Sequence, residues 1–88
     1  MASSLKVSMV SAEHEVWTGA ATMVVAKTVI GEIGLMAGHQ PMLAILAQDG
    51  EVRMTLPDGE KLTASASDGF LSFENDTVTI VAGKAELR

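Results

Sequence analysis

Apolar and polar residues alternate along most of the chain. Leu5, Val7 and Met9 are spaced by Lys6 and Ser8, and Val52, Met54 and Leu56 by Arg53 and Thr55. Leu62, Ala64 and Ala66 are spaced by Thr63 and Ser65, and Val78, Ile80 and Ala82 by Thr79 and Val81. Successive side chains of a β-strand point to opposite faces, so a period of two predicts strands with one face on a core and one toward water. From Ala20 to Ile30 the alternation blurs into AATMVVAKTVI, which predicts a strand covered on both faces. Pro57-Asp58-Gly59 separates two alternating runs. It predicts a hairpin turn, because Pro presets φ and Gly accepts φ > 0. Asp49-Gly50, Asp68-Gly69 and Asn75-Asp76 mark further turns. Turn signals recurring about every ten residues are the spacing of a small all-β sandwich or barrel. The last stretch, GKAELR at Gly83–Arg88, is a glycine followed by good helix formers, and it predicts the start of a helix or a tail.

Composition narrows the class. The 88 residues make one domain with one modest core, and 48% of them are apolar, which rules against disorder. There is no Tyr, and Trp17, Phe70 and Phe73 are the only aromatics, so the core is aliphatic. Six basic against eleven acidic residues give a net charge of −5, with no basic cluster to attract a phosphate backbone or anionic lipid. Nucleic acid is therefore not an expected partner, and no segment approaches the ~20 apolar residues of a membrane span. The absence of Cys removes disulfides, thiolate chemistry and Cys-ligated zinc.

Gly31–Leu46 reads GEIGLMAGHQPMLAIL, in which Gly31, Gly34, Gly38, His39 and Pro41 interrupt an apolar run. The G-x-x-G-x-x-x-G spacing lacks the Gly-Lys-Ser/Thr end of a phosphate loop and no helix pattern follows it, so neither a nucleotide nor a dinucleotide site is read here. The glycines suit tight bends or close backbone approach, and with His39 and Pro41 they predict an ordered, exposed corner. Met36 and Met42, beside Leu35 and Leu43, put an apolar patch at that corner, a candidate interface. Met9, Met23 and Met54 fall inside strand patterns as core filler. Trp17 is core or interface. His14 and His39, even with Glu13, Glu15 and Glu32, lack the one-face spacing of a metal site. An acid–base pair of His39 and Glu32 has no nucleophile, cofactor site or enclosing walls beside it. A small sandwich that holds a sugar or peptide on one face is the other reading, but such binders present aromatic platforms that this composition barely supplies.

Taken in order, these residues carry a resemblance. Val10–Glu13 reads VSAE, Trp17-Thr18-Gly19 follows, and then comes the Gly31–Leu46 stretch with its Gly-Glu-hydrophobic-Gly and Gly-His-x-Pro-hydrophobic pattern. Gly50–Arg53, Asp68–Leu71 and Val78–Ala82 complete the set. The chain resembles the N-terminal domain of the epsilon subunit of rotary F-type ATP synthases over nearly its whole length. The resemblance implies an all-β fold, a flattened β-sandwich of roughly ten short, mostly antiparallel strands, here residues 1–83, with 84–88 as the threshold of a helical segment or tail. It implies a non-catalytic central-stalk subunit that couples the gamma subunit to the c-ring, on the cytoplasmic side of the energy-transducing membrane and peripheral to it. By resemblance the c-ring contact is Gly31, Glu32, Ile33, Gly34 and Met36, in a loop from Gly31 to Gly38. The gamma contact is Ser11, His39, Met42 and Ala44. Family members usually continue into a two-helix domain that can inhibit hydrolysis and in some members binds ATP. That hairpin lies outside this sequence, so no cofactor and no nucleotide are expected. Met36 and Ala37 stand where the family often has an aliphatic residue and a proline.

Overall fold

A computed structural model describes residues 4–88, all strand, turn and loop. The strands are β1 (Leu5–Ser11), β2 (Glu15–Ala21), β3 (Met23–Thr28), β4 (Gly31–Leu35), β5 (Met42–Ile45), β6 (Glu51–Thr55), β7 (Lys61–Glu74) and β8 (Thr77–Leu87). They are hydrogen-bonded in the order β2-β1-β8-β7-β6-β3-β4, with β5 also on β7. The β1–β8 pair is parallel and every other pair is antiparallel.

Two long strands convert this path into a sandwich. β7 has 14 residues and β8 has 11, and their pairing runs without a register shift from Ala64↔Leu87 to Glu74↔Thr77. Within β7, even positions face the core first (Ala64, Ala66) and odd positions later (Leu71, Phe73). The parity changes at Asp68, whose φ of 64° puts one residue of the strand in the left-handed region. On β8 the change falls at Gly83: Val78, Ile80 and Ala82 are buried before it, and Ala85 packs on the core after it. The ladder thus passes from one layer to the other at Asp68–Gly83. One layer holds β2, β1, the first half of β8, the second half of β7, and β5. The other holds β4, β3, β6, the first half of β7 and the second half of β8. The expected count of roughly ten strands becomes eight because two of them serve both layers.

Between the layers lies one cluster in which Leu5, Val7, Met9, Leu71, Phe73, Val78 and Ile80 meet Val24, Ala26, Leu35, Val52, Met54 and Ala64. The alternation in β1, β6, β7 and β8 falls as the sequence predicts. Asn75-Asp76 forms its turn with both φ values positive (50° and 56°), the geometry a two-residue hairpin prefers. Pro57–Gly59 forms the other hairpin, held by Leu56 N–H donating to Glu60 C=O at 2.7 Å.

Four local expectations change. Ala20–Ile30 is not one doubly covered strand: the chain crosses between layers at Thr22, whose N–H and hydroxyl both donate to Thr55 C=O (2.7 and 3.2 Å). Gly31–Leu35 is an edge strand rather than loop, because Val24–Thr28 offers it five cross-strand partners. Asp68-Gly69 is a kink inside a strand, not a turn. Lys84–Leu87 is strand although its residues favour helix, since pairing with Ala64–Ser67 is available without the cost of nucleating a helix.

Candidate functional site

The two outer faces of the sandwich are chemically unlike. On the β2-β1-β8-β7-β5 layer, cross-strand register sets Ile45 opposite Phe70, Phe70 opposite Val81, and Val81 opposite Val10. The next row is Leu43, Ser72, Thr79 and Ser8. Leu43 is 67% exposed, Ile45 53% and Phe70 38%. This is a continuous apolar strip on a flat face of small side chains, without an ion pair among the residues of these two rows.

The opposite face is a lattice of charges. Lys27 Nζ contacts Asp49 Oδ2 at 2.7 Å, Arg53 Nη2 contacts Glu32 Oε1 at 3.0 Å, and Arg88 Nη1 contacts Glu51 Oε2 at 2.7 Å. The hydrogen bond to Asp49, and then the aspartate's charge, hold the Lys27 pKa above its ordinary value. The same hydrogen bond, with one from its own backbone and the lysine's charge, holds Asp49 below the ordinary carboxylate range. A face whose charges are paired with each other is a solvated face.

The two ends also differ. At one end the β3–β4 turn raises Val29 and Ile30, 63% and 80% exposed. This apolar tip is pinned from below. Thr28, itself buried, donates its hydroxyl to Gly31 C=O at 2.7 Å and accepts Ile30 N–H at 3.3 Å. Val29 N–H reaches Ile45 C=O at 3.0 Å, and Ala47 N–H reaches Lys27 C=O at 3.1 Å. The tip is thereby locked to β5 and to the apolar strip. Gly31, with φ of 116°, closes the turn. At the far end lies the Met36–Pro41 loop. Gly38 N–H donates to Asp76 Oδ1 at 2.8 Å, and the His39 ring meets Phe73 edge-on at 5.5 Å between centroids. His39 Nδ1 lies 2.7 Å from Gln40 C=O, so that nitrogen carries the proton.

The residues singled out from sequence are therefore not all brought together. Gly31 and Glu32 stand beside the tip, Gly34 lies mid-strand on the β4 edge, Ile33 packs on the core, and Met36 is at the far end. Ser11 is at the tip end, where its hydroxyl donates to His14 C=O (3.2 Å) and accepts the Glu13 and His14 N–H groups (3.3 Å each), closing the β1–β2 turn. His39 is at the other end, away from Glu32 and from His14. Met42 packs on the core and Ala44 is 7% exposed, both turned inward. Among the described residues no group of three or more His, Cys, Asp and Glu could hold a metal. Of the apolar corner read from sequence, Leu43 is exposed and Leu35 is buried, while the exposed Val29, Ile30, Ile45 and Phe70 were not singled out. Gly31 was the readable turn signal there, while Val29 and Ile30, both β-branched, read as strand. In MLAI at Met42–Ile45 both phases are apolar, so periodicity alone could not say which faces out.

Comparison with known proteins gives this surface a context. The model of the ATP synthase delta/epsilon chain β-sandwich domain matches residues 4–88. The ATP synthase epsilon chain of Streptomyces avermitilis is 45% identical over 87 residues, 99% of this chain and 69% of that protein. That of Micrococcus luteus is 51% identical over 83 residues, 94% of this chain and 90% of its relative. Among solved structures, a chain of the Euglena gracilis mitochondrial ATP synthase (OSCP/F1/c-ring) superposes with a TM-score of 0.88 at 20% identity, over 96% of this chain and 53% of that one. One from the central stalk/c-ring of the Tetrahymena thermophila mitochondrial enzyme gives 0.71 at 12% identity, over 92% and 64%. These two share the fold, and the chain spans about half and about two thirds of their lengths. With a family model along all its described residues and relatives near half identical, this chain belongs to the epsilon chains of ATP synthase.

Proposed function

We propose that the chain is a non-catalytic rotor subunit, gripped on its apolar face by the gamma subunit and seated by its Val29–Ile30 end on the ring of membrane c subunits. The observation that carries this reading is the contrast between the faces. One is an apolar strip through Ile45, Phe70, Val81 and Val10, and the other is paired charge. A stable interface buries about 800 Å² per partner. The broad side of a molecule measuring 35 × 24 × 18 Å is of that size. The gamma-facing residues become Leu43, Ile45 and Phe70, with Ser11 at the margin; Met42 and Ala44 support them from the core side. His39, at the far end, shapes the loop that leads into β5. The ring-facing residues become Val29, Ile30, Gly31 and Glu32.

Coupling asks this subunit for stiffness rather than for a pocket. The Thr28 bonds and the Val29–Ile45 bond join the tip to the apolar strip, so a torque applied at one surface is delivered to the other through these hydrogen bonds. No helix among the described residues is long and apolar enough to cross a membrane; attachment to the membrane-bound complex, on its cytoplasmic side, goes through the partners. A sugar-binding sandwich would need an aromatic platform, and the apolar face offers the single ring of Phe70.

The test is binding by the purified chain to gamma and to detergent-solubilised c-ring from the same source. Ile45→Asp with Phe70→Asp is expected to abolish gamma binding, and Ile30→Asp to abolish ring attachment, all with unchanged melting temperature. Wild-type gamma binding by the Ile45/Phe70 double variant would overturn the reading.

A further inference from the structure

Glu32 stands two residues past the apolar tip that the reading above places against the ring, and its carboxylate is ion-paired. Its direct cross-strand neighbour is Lys27, the expected partner on geometry alone. Yet the Lys27 ammonium is taken by Asp49 at 2.7 Å. Arg53, on β6 beyond β3, instead reaches across the face and places Nη2 at 3.0 Å from Glu32 Oε1. Arg53 has a second carboxylate within reach, Glu51, but Nε stands off at 3.9 Å. Arg88 holds that carboxylate at 2.7 Å. Each competing charge is satisfied elsewhere, which commits Arg53 to Glu32.

We infer that Arg53 is the positioning residue for Glu32, its charge drawing the carboxylate to its place beside the Val29–Ile30 tip, where it is presented to a hydrogen-bond donor of the partner. A guanidinium is always charged, and the long arginine stem lets it reach Glu32 across β3. Glu32 Oε1 is the oxygen nearest the guanidinium, in an ion pair rather than a directed hydrogen bond. The carboxylate as a whole accepts no directed hydrogen bond among the described residues, the other charge-pair bonds going to Asp49 and Glu51. The group it suits is an N–H or O–H, cationic or neutral, rather than an anion. The inference rests on the ring-facing reading of the tip, and it adds to that reading a residue one strand removed from the interface.

A double-mutant cycle on the full chain tests it, with detergent-solubilised c-ring carrying gamma from the same source as the probe. Because the pair is exposed, Arg53→Ala is expected to weaken ring attachment by only about two- to fivefold. Arg53→Lys is expected to restore part of the loss. In the Glu32→Ala background, Arg53→Ala is expected to change nothing further, and the effect of Arg53→Ala should fade at high salt. Arg53→Gln keeps the stem and supplies the same test should Arg53→Ala lower the melting temperature. Additive losses, or full attachment by Arg53→Ala while Glu32→Ala loses affinity, would overturn the inference. If Glu32→Ala and Arg53→Ala both attach as wild type while Ile30→Asp does not, the positioning role is wrong and the ring-facing tip stands. If Ile30→Asp also attaches normally, the tip reading itself has failed.

Discussion

The side chain of Asp68 occupies the space that a Cβ at position 83 would need. A methyl group placed on Gly83 would lie 2.6 Å from Asp68 Oδ2 and 3.2 Å from its Cβ and Cγ. The two residues face each other where the β7–β8 ladder changes layers, and Asp68 holds the positive φ that makes the change. Both residues are exposed, so the Asp68 carboxylate can swing aside while its Cβ and Cγ must give by a few tenths of an ångström, and Gly83→Ala is expected to cost up to about 1 kcal/mol. Asp68→Gly relieves about 1–2 kcal/mol of left-handed strain and loses about 0.5–1 kcal/mol to chain entropy, so it should range from neutral to about 1.5 kcal/mol stabilising. It also vacates the space, and the Asp68→Gly/Gly83→Ala double variant should recover most of the loss. Urea unfolding of the four proteins measures the coupling, and simple additivity would show that the two positions do not compete for space.

Neighbouring residues of β5 should respond in opposite ways. Ala44 is 7% exposed and Leu43 67%, and the strand's register on β7 sets them on opposite faces. Ala44→Leu forces three extra carbons into a packed core and is expected to destabilise by about 1–3 kcal/mol. Leu43→Ser should leave thermal stability within about 0.5 kcal/mol of wild type while weakening gamma binding. If instead Leu43→Ser unfolded the domain and Ala44→Leu did not, the strand would be turned over relative to this structure.

That pair also marks how far the sequence could be read. Where polar residues alternate with apolar ones, as in Leu5–Met9 or Val78–Ala82, the buried face was legible because water tolerates only one phase. Where both phases are apolar, as in Met42–Ile45 or Ala20–Ile30, burial follows from which strand lies alongside, a long-range fact that no local window contains. The corner at Asp68 was legible as a turn signal but not as a kink within a strand, since its meaning depends on β8 running unbroken opposite it. The likeness of Gly31–Leu46 to a known family singled out that stretch. Which of its residues reach the surface needed the register of β4 and β5.

The Lys27–Asp49 pair predicts stability changes at both extremes of pH. Asp49 has its pKa lowered by the hydrogen bond from Lys27, a backbone hydrogen bond and the lysine's charge. Its contribution is complete above the ordinary aspartate value and is lost as pH falls through the lowered one. Lys27 has its pKa raised by the same hydrogen bond and by the charge of Asp49. Its contribution is complete below the ordinary lysine value and is lost as pH rises through the raised one. The melting-temperature difference between wild type and Asp49→Asn should thus be largest near neutral pH, shrink toward both extremes and diminish with added salt. A difference that stayed constant from acid to alkali would show that the pair does not carry it.

Trp17 offers an optical test of how the β2 edge is closed. It is the only tryptophan, and it sits half-buried on the edge strand, paired with Met9 and packed on the core. Two positions along, Gly19 leaves its own space to the indole: a Cβ there would lie 2.8 Å from both Cη2 and Cζ2 of Trp17. The ring therefore lies along the strand and shields the seam between the layers, where an edge strand would otherwise leave apolar groups open to water. Gly19→Val requires the indole to swing outward. Its emission should move to longer wavelength as the ring enters water, with a loss of about 1–3 kcal/mol in stability. Trp17→Leu in the Gly19→Val background should recover part of that stability, because a shorter side chain no longer competes for the space. An unshifted emission from folded Gly19→Val would mean that the indole covers the seam without using the space over Gly19.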